Sequence, residues 1–92
     1  MPIVTALITL SDTTPTKIVT NHQMAHDVIL HNHTKSSNEY IYVGNANVTT
    51  TNAMHIDPGQ TIYLTMRPGD ELWAVSNPDG LQVGVTDIRK AG

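Results

Sequence analysis

Apolar and polar positions alternate in short runs along this chain, and turn-forming residues cut the runs at regular places. Residues 3–10 open with a loosely alternating, β-branched segment (Ile3, Val4, Thr5, Leu7, Ile8), and Ser11 to Thr16 then reads as a turn whose side chains can bond the local backbone. Lys17 to Thr20 resumes a strand. Asn21 to Ala25 has no readable period and is a loop or a single helical turn. In the strand from Asp27 to His33, Val28 and Leu30 share one face while Ile29, His31 and His33 share the other. Tyr40 to Val43 is the next strand, ended by Gly44; the polar stretch from Asn45 to Asn52 offers only Val48 for burial, and Met54-His55-Ile56 is a short strand.

Pro-Gly pairs at Pro58-Gly59 and Pro68-Gly69, and the run Asn77-Pro78-Asp79-Gly80, punctuate the second half as hairpin turns. Between them Ile62, Leu64 and Met66 mark one inner face. Either Leu72 and Ala74 or Trp73 and Val75 face inward after the second turn, and Leu81, Val83 and Val85 do so in the last strand, where Gly84 permits close approach or a bulge. No helix-period segment of useful length occurs. Seven or eight strands at roughly ten-residue spacing predict an all-β fold, a small antiparallel β-sandwich or jelly-roll-like barrel. Residues 1–92 form one domain, with residues 1–10 either a first strand or an N-terminal arm that pairs with another protein.

Composition adds a constraint on stability. An apolar fraction of 39%, aromatics at 4% and no Phe give a thin core for 92 residues. With no Cys, neither a disulfide nor a thiolate metal site can supplement it. Regular β-pairing or association between copies must supply the difference, and association is the expectation. Five Lys+Arg against eight Asp+Glu, with no basic cluster, argues against nucleic acid as a partner. Apolar runs are too short to span a bilayer, and the N-terminus lacks the pattern of a signal peptide, so no membrane partner is expected.

Few residues invite chemistry. His31 and His33 project to one face at strand spacing, a geometry suited to metal ligands, and their spacing resembles the first motif of cupins. Ala25 stands where that motif has Gly, however, and no His follows Pro58-Gly59-Gln60 as the second motif requires; His55 precedes that turn. A surface or subunit-contact role for His31 and His33 is therefore preferred, with no metal or cofactor expected. His22 and His26, four apart, would with the other His residues make the chain acid-sensitive only if they met at an interface; otherwise they are exposed polar positions. No nucleophile motif occurs, and Asp57, Asp70 and Glu71 sit where a carboxylate caps a turn, so no enzyme is expected. Trp73 and Tyr40, Tyr42 and Tyr63 form either a sugar-stacking platform or core and interface anchors, the latter being favoured.

The order of motifs carries a resemblance. Val28-Ile29-Leu30-His31-Asn32 is followed by Ile41-Tyr42-Val43-Gly44, Asn47-Val48-Thr49-Thr50 and Ile56-Asp57-Pro58-Gly59-Gln60. The strand Ile62-Tyr63-Leu64, then Arg67-Pro68-Gly69-Asp70-Glu71-Leu72-Trp73-Ala74-Val75 and Val83-Gly84-Val85, complete it. From about Val4 to Ile88 this succession resembles the small β-rich virion proteins of tailed bacteriophages, with Trp73 where Tyr is usual. The resemblance implies a capsid decoration, or head-stabilising, protein: a homotrimer made in the host cytoplasm that binds the major capsid protein on the capsid exterior. Related modules occur on tail fibres, baseplates and head fibres, usually with added segments such as a coiled coil, and this chain shows none. Interface candidates are Ile3, Val4, Leu7, Tyr63 and Trp73.

Overall fold

A computed structural model of the chain describes residues 3–20, 25–34, 36–51 and 54–89, with the side chains of Ile3, Val4 and Arg89 excepted. All regular structure in it is β: β1 (Ile3–Thr9), β2 (Thr16–Val19), β3 (His26–Asn32), β4 (Tyr40–Gly44), β5 (Met54–Ile56), β6 (Thr61–Met66), β7 (Leu72–Asn77) and β8 (Gln82–Arg89). Sheet A has the order β1-β8-β3-β6 and sheet B the order β2-β7-β4-β5. Every pairing is antiparallel. The partners nest, β4 with β5, β3 with β6, β2 with β7 and β1 with β8, as in one long hairpin folded over itself. That is the jelly-roll form of the β-sandwich.

The turns form where the sequence demands them. Gly59 and Gly69 have φ of +74° and +85°, conformations that Gly adopts without the Cβ penalty, and each follows a Pro suited to the preceding position of a type II turn. Gln60 N donates to Asp57 O at 2.9 Å and Asp70 N to Arg67 O at 3.0 Å, closing both turns. Ser11 Oγ accepts from the amides of Thr13 and Thr14, each at 3.2 Å, which makes the β1–β2 connection the Ser/Thr turn its sequence predicts.

Inward-facing aliphatics fill the space between the sheets: Val28 and Leu30 from β3, Val83 and Val85 from β8, Met66 from β6, Ile41 and Val43 from β4, Ile56 from β5 and Ala74 from β7. Val48, outside any strand, is also buried. In β7 the inward set is Leu72, Ala74 and Ser76, because these pair in phase with core residues Ile41 and Val43. Trp73 therefore lies on the outer side of sheet B and is not a core anchor. Gly84 makes no bulge, since both of its strand pairings run in unbroken register; the irregularity in the sandwich falls between Lys17 and Val19. Residues 3–9 are an integral strand of sheet A, paired with β8 from Ile3↔Ile88 to Thr9↔Gln82.

Among the described residues, four polar ones are buried, contrary to what their polarity predicts: His26, Asn32, Ser76 and Asp87. Each is in phase with the apolar residues of its strand, so the pleat carries it inside. His26 Nδ1 lies 2.5 Å from Asp87 Oδ1 with the His side chain fully buried, which corrects the expectation of an exposed His26. Asn32 is fully bonded: its Nδ2 donates to Glu39 O and Ile56 O, each at 2.9 Å, and its Oδ1 accepts from Thr34 N at 3.2 Å. Its own amide donates to Gln60 O at 3.0 Å, and its carbonyl accepts from Gly59 N at 3.2 Å. One residue of sheet A thereby holds the chain on either side of β4 and β5. At this same end of the sandwich, Ser76 N of β7 donates to Ser11 O of the β1–β2 connection at 3.0 Å, and Gly80 N of the β7–β8 connection donates to Leu10 O at 2.9 Å.

Two stability predictions follow from the buried polar groups. Asn32→Ala strips the Glu39 and Ile56 carbonyls of their donor and should lower unfolding free energy in urea by about 2–3 kcal/mol. His26→Leu breaks the buried contact with the Asp87 carboxylate and should cost about 3–5 kcal/mol, while the double variant His26→Leu/Asp87→Leu should recover part of that loss. A double variant no more stable than the single one would remove the pair from the account of the fold.

Candidate functional site

Strand alternation gives the sandwich two outer faces with different chemistry. On sheet A the register aligns Leu7, Gly84, His31 and Thr61 in one row across the four strands, and Thr5, Thr86, Ile29 and Tyr63 in the next. Leu7 is 52% and Tyr63 74% exposed, high values for large apolar side chains. Two shallow depressions flank Ile29. One, of about 420 Å³, lies over Gly84 between Leu7, Thr86 and His31. The other, of about 370 Å³, lies between Tyr63, Asp27 and Ile88. The polar groups on this face bond one another: His31 Nδ1 and Thr61 Oγ1 lie 2.9 Å apart, and Thr65 Oγ1 donates to Asp27 Oδ1 at 3.1 Å.

On sheet B, Trp73 lies opposite Gly44 and Lys17, and Tyr42 opposite Val75 and His55. Lys17 Nζ sits 5.4 Å from the Trp73 ring centroid and 3.2 Å from Glu71 Oε2, a cation held between an aromatic face and a carboxylate. The His55 ring centroid is 5.2 Å from that of Tyr40 and 6.0 Å from that of Tyr42, and its Nε2 is 3.0 Å from Asp57 Oδ1. Gly44 lies opposite the indole on the outer side, while Ala74 and Ser76 of the same strand as Trp73 face inward.

The expected chemistry can now be placed residue by residue. His31 and His33 do come together, with ring centroids 6.1 Å apart in an edge-on arrangement. His55 lies on the other sheet and His26 is buried between the sheets, while His22 lies outside the described residues. The described His residues therefore do not converge. Among the described residues no three His, Cys, Asp or Glu are grouped to hold a metal ion. Asp70 Oδ2 accepts from Arg67 N at 3.1 Å, and Asp57 and Glu71 pair with His55 and Lys17, so each carboxylate is engaged locally. The aromatic residues divide: Trp73, Tyr40 and Tyr42 belong to sheet B, and Tyr63 to the opposite side of the molecule. Of the interface candidates, Leu7 and Tyr63 share the outer face of sheet A; the side chains of Ile3 and Val4 lie outside the described residues.

No family model and no curated protein matches the chain. A solved structure from the disulfide-linked pili of Bacillus endospore appendages is similar in fold, with a TM-score of 0.60, covering 98% of this chain and 87% of the other at 12% sequence identity. Identity that low speaks to the fold alone, and it agrees with the small β-sandwich derived above.

The position of Trp73 can be checked by stability. Trp73→Ala removes the largest side chain of the protein yet opens no cavity between the sheets, so it should cost less than Leu30→Ala, for which about 2–5 kcal/mol is expected. A Trp73→Ala loss equal to or above that of Leu30→Ala in urea denaturation would place the indole in the core after all.

Proposed function

We propose that the chain is a non-enzymatic structural subunit of a repeating assembly, and that the assembly is a tailed-bacteriophage head. There it decorates the capsid exterior as a trimer, binds the major capsid protein and stabilises the shell. The observation that carries this reading is the outer face of sheet A, where Leu7 and Tyr63 stand largely uncovered. A chain with only 14% charged residues presents such a face more naturally to protein than to water. The succession of motifs that resembles phage virion proteins runs through the same strands. The similar fold in an appendage described as a pilus supports use of this sandwich in repeated assemblies, though a chain without Cys would hold such an assembly without disulfides. Many copies sum modest interface energies into a large one.

The gathering of Trp73, Tyr40 and Tyr42 with His55 on sheet B favours a second reading, a receptor- or glycan-binding module of a tail fibre, baseplate or head fibre. A stacking platform of that kind binds sugar rings through apolar faces and fixes them with neighbouring polar groups. Copy number separates the two. Quantitative mass spectrometry of purified virions should find the protein in numbers comparable to the major capsid protein; a copy number comparable to that of a tail component instead, with glycan binding abolished by Trp73→Ala, transfers the chain to the tail.

A further inference from the structure

The two sheets end differently. Sheet B ends on β2, of four residues, which carries Lys17 and a register shift, and on β5, of three residues. Shortness, a lysine and an irregularity are the usual means by which a sheet edge is kept from pairing with another chain. Sheet A ends on β1, of seven residues, and β6, of six, and neither contains a charged residue, Pro or Gly. Both run in unbroken register with their inner neighbours. Among the described residues no strand lies on the outer side of either.

Both edges also carry apolar side chains left uncovered. On the outer face these are Leu7 of β1 and Tyr63 of β6. On the inner face Ala6 is exposed, while Ile8, Ile62 and Leu64 are half-buried at the rims of the core. Strand directions alternate across sheet A, so β1 and β6 run in opposite senses. A second copy displaced sideways therefore presents its β1 antiparallel to β6 of the first, with outer face continuing outer face.

We propose that β1 of one copy pairs antiparallel with β6 of another, making sheet A continuous between copies. Leu7 and Thr5 then run alongside Tyr63 on the outer face, and Ala6 and Ile8 alongside Ile62 and Leu64 on the inner face. The uncovered apolar groups of each edge are thus what the other edge buries. Because the two edges differ, the contact is heterologous and closes into a ring, a trimer included, or continues as a filament. The contact deepens the assembly-subunit reading by naming its self-interface, and rests on that reading only for its biological setting.

Absence of native Cys makes crosslinking decisive. Thr5→Cys or Leu7→Cys protein, mixed in equal amounts with Tyr63→Cys protein under mild oxidation, should give the mixed disulfide at least about ten-fold over either homodimer. Light scattering on the unmodified protein should give a mass above the 10.0 kDa of one chain. Thr5→Lys and Thr65→Lys each place a charge on one exposed edge position, and each should return the protein to a monomer with an unchanged far-UV spectrum and cooperative melt. A monomeric unmodified protein, crosslinking dominated by homodimers, or an oligomer indifferent to both Lys variants overturns the contact. A monomer that still coats heads in high copy number would remove this contact and leave the assembly reading standing. Rings or filaments built through the mixed pair would establish the contact even if virions lacked the protein.

Discussion

The buried carboxamide of Asn32 joins segments that the chain separates widely. Its two donor bonds reach the residue before β4 and the last residue of β5, while its backbone bonds the turn before β6. Between the sheets the core cluster is aliphatic, and packing of such side chains by itself sets no unique alignment of one sheet over the other. A hydrogen-bonded amide in a dry interior does, because any sliding of the sheets leaves carbonyls without donors. The remaining interior polar groups act at other points of the same interface. His26 and Asp87 meet within sheet A, and Ser76 Oγ donates to Pro78 O at 2.8 Å where β7 turns toward β8.

This arrangement also explains how a thin core suffices. Long-range antiparallel pairing supplies backbone hydrogen bonds over most of the described chain, and the turns are closed by residues already suited to them. Among the described residues, the large apolar side chains left exposed are Leu7 and Tyr63 on sheet A and Met54 on the β5 edge of sheet B. The surface is therefore asymmetric: one sheet sets Leu7, Ile29 and Tyr63 among Thr and His residues and has long regular edges, and the other carries Trp73, Tyr40, Tyr42 and Met54 with short, interrupted edges.

Much of this was legible because strand alternation and turn chemistry are local. Val28 and Leu30, then Ile62, Leu64 and Met66, and Val83 and Val85 fall inward as their spacing predicts, and both Pro-Gly turns form at their sequence positions. Polarity predicts exposure for His26, Asn32 and Asp87, whereas their phase predicts burial: Asn32 and His26 keep step with Val28 and Leu30, and Asp87 with Val85. Phase was the available signal. For β7 the run Leu72 to Val75 is apolar throughout, so alternation alone cannot choose a face; the phase follows from the register that sets Ala74 and Ser76 opposite Val43 and Ile41, a pairing between distant segments. Leu7 and Tyr63 were singled out individually. Their presence on one face, at opposite edges of one sheet, depends on pairings between distant segments that no local pattern records.

The nested pairing has a consequence for the birth of the chain. With β4 and β5 closed, β3 and β6 are separated by short connections rather than by the whole intervening segment, and each later closure is eased in the same way. During synthesis the inner pairs are complete before the outer ones, whereas β1 must wait for β8, seven strands further along the chain. An uncharged, β-branched strand is thus made well ahead of the partner that shelters it, which makes nascent chains on neighbouring ribosomes vulnerable to mispairing during translation.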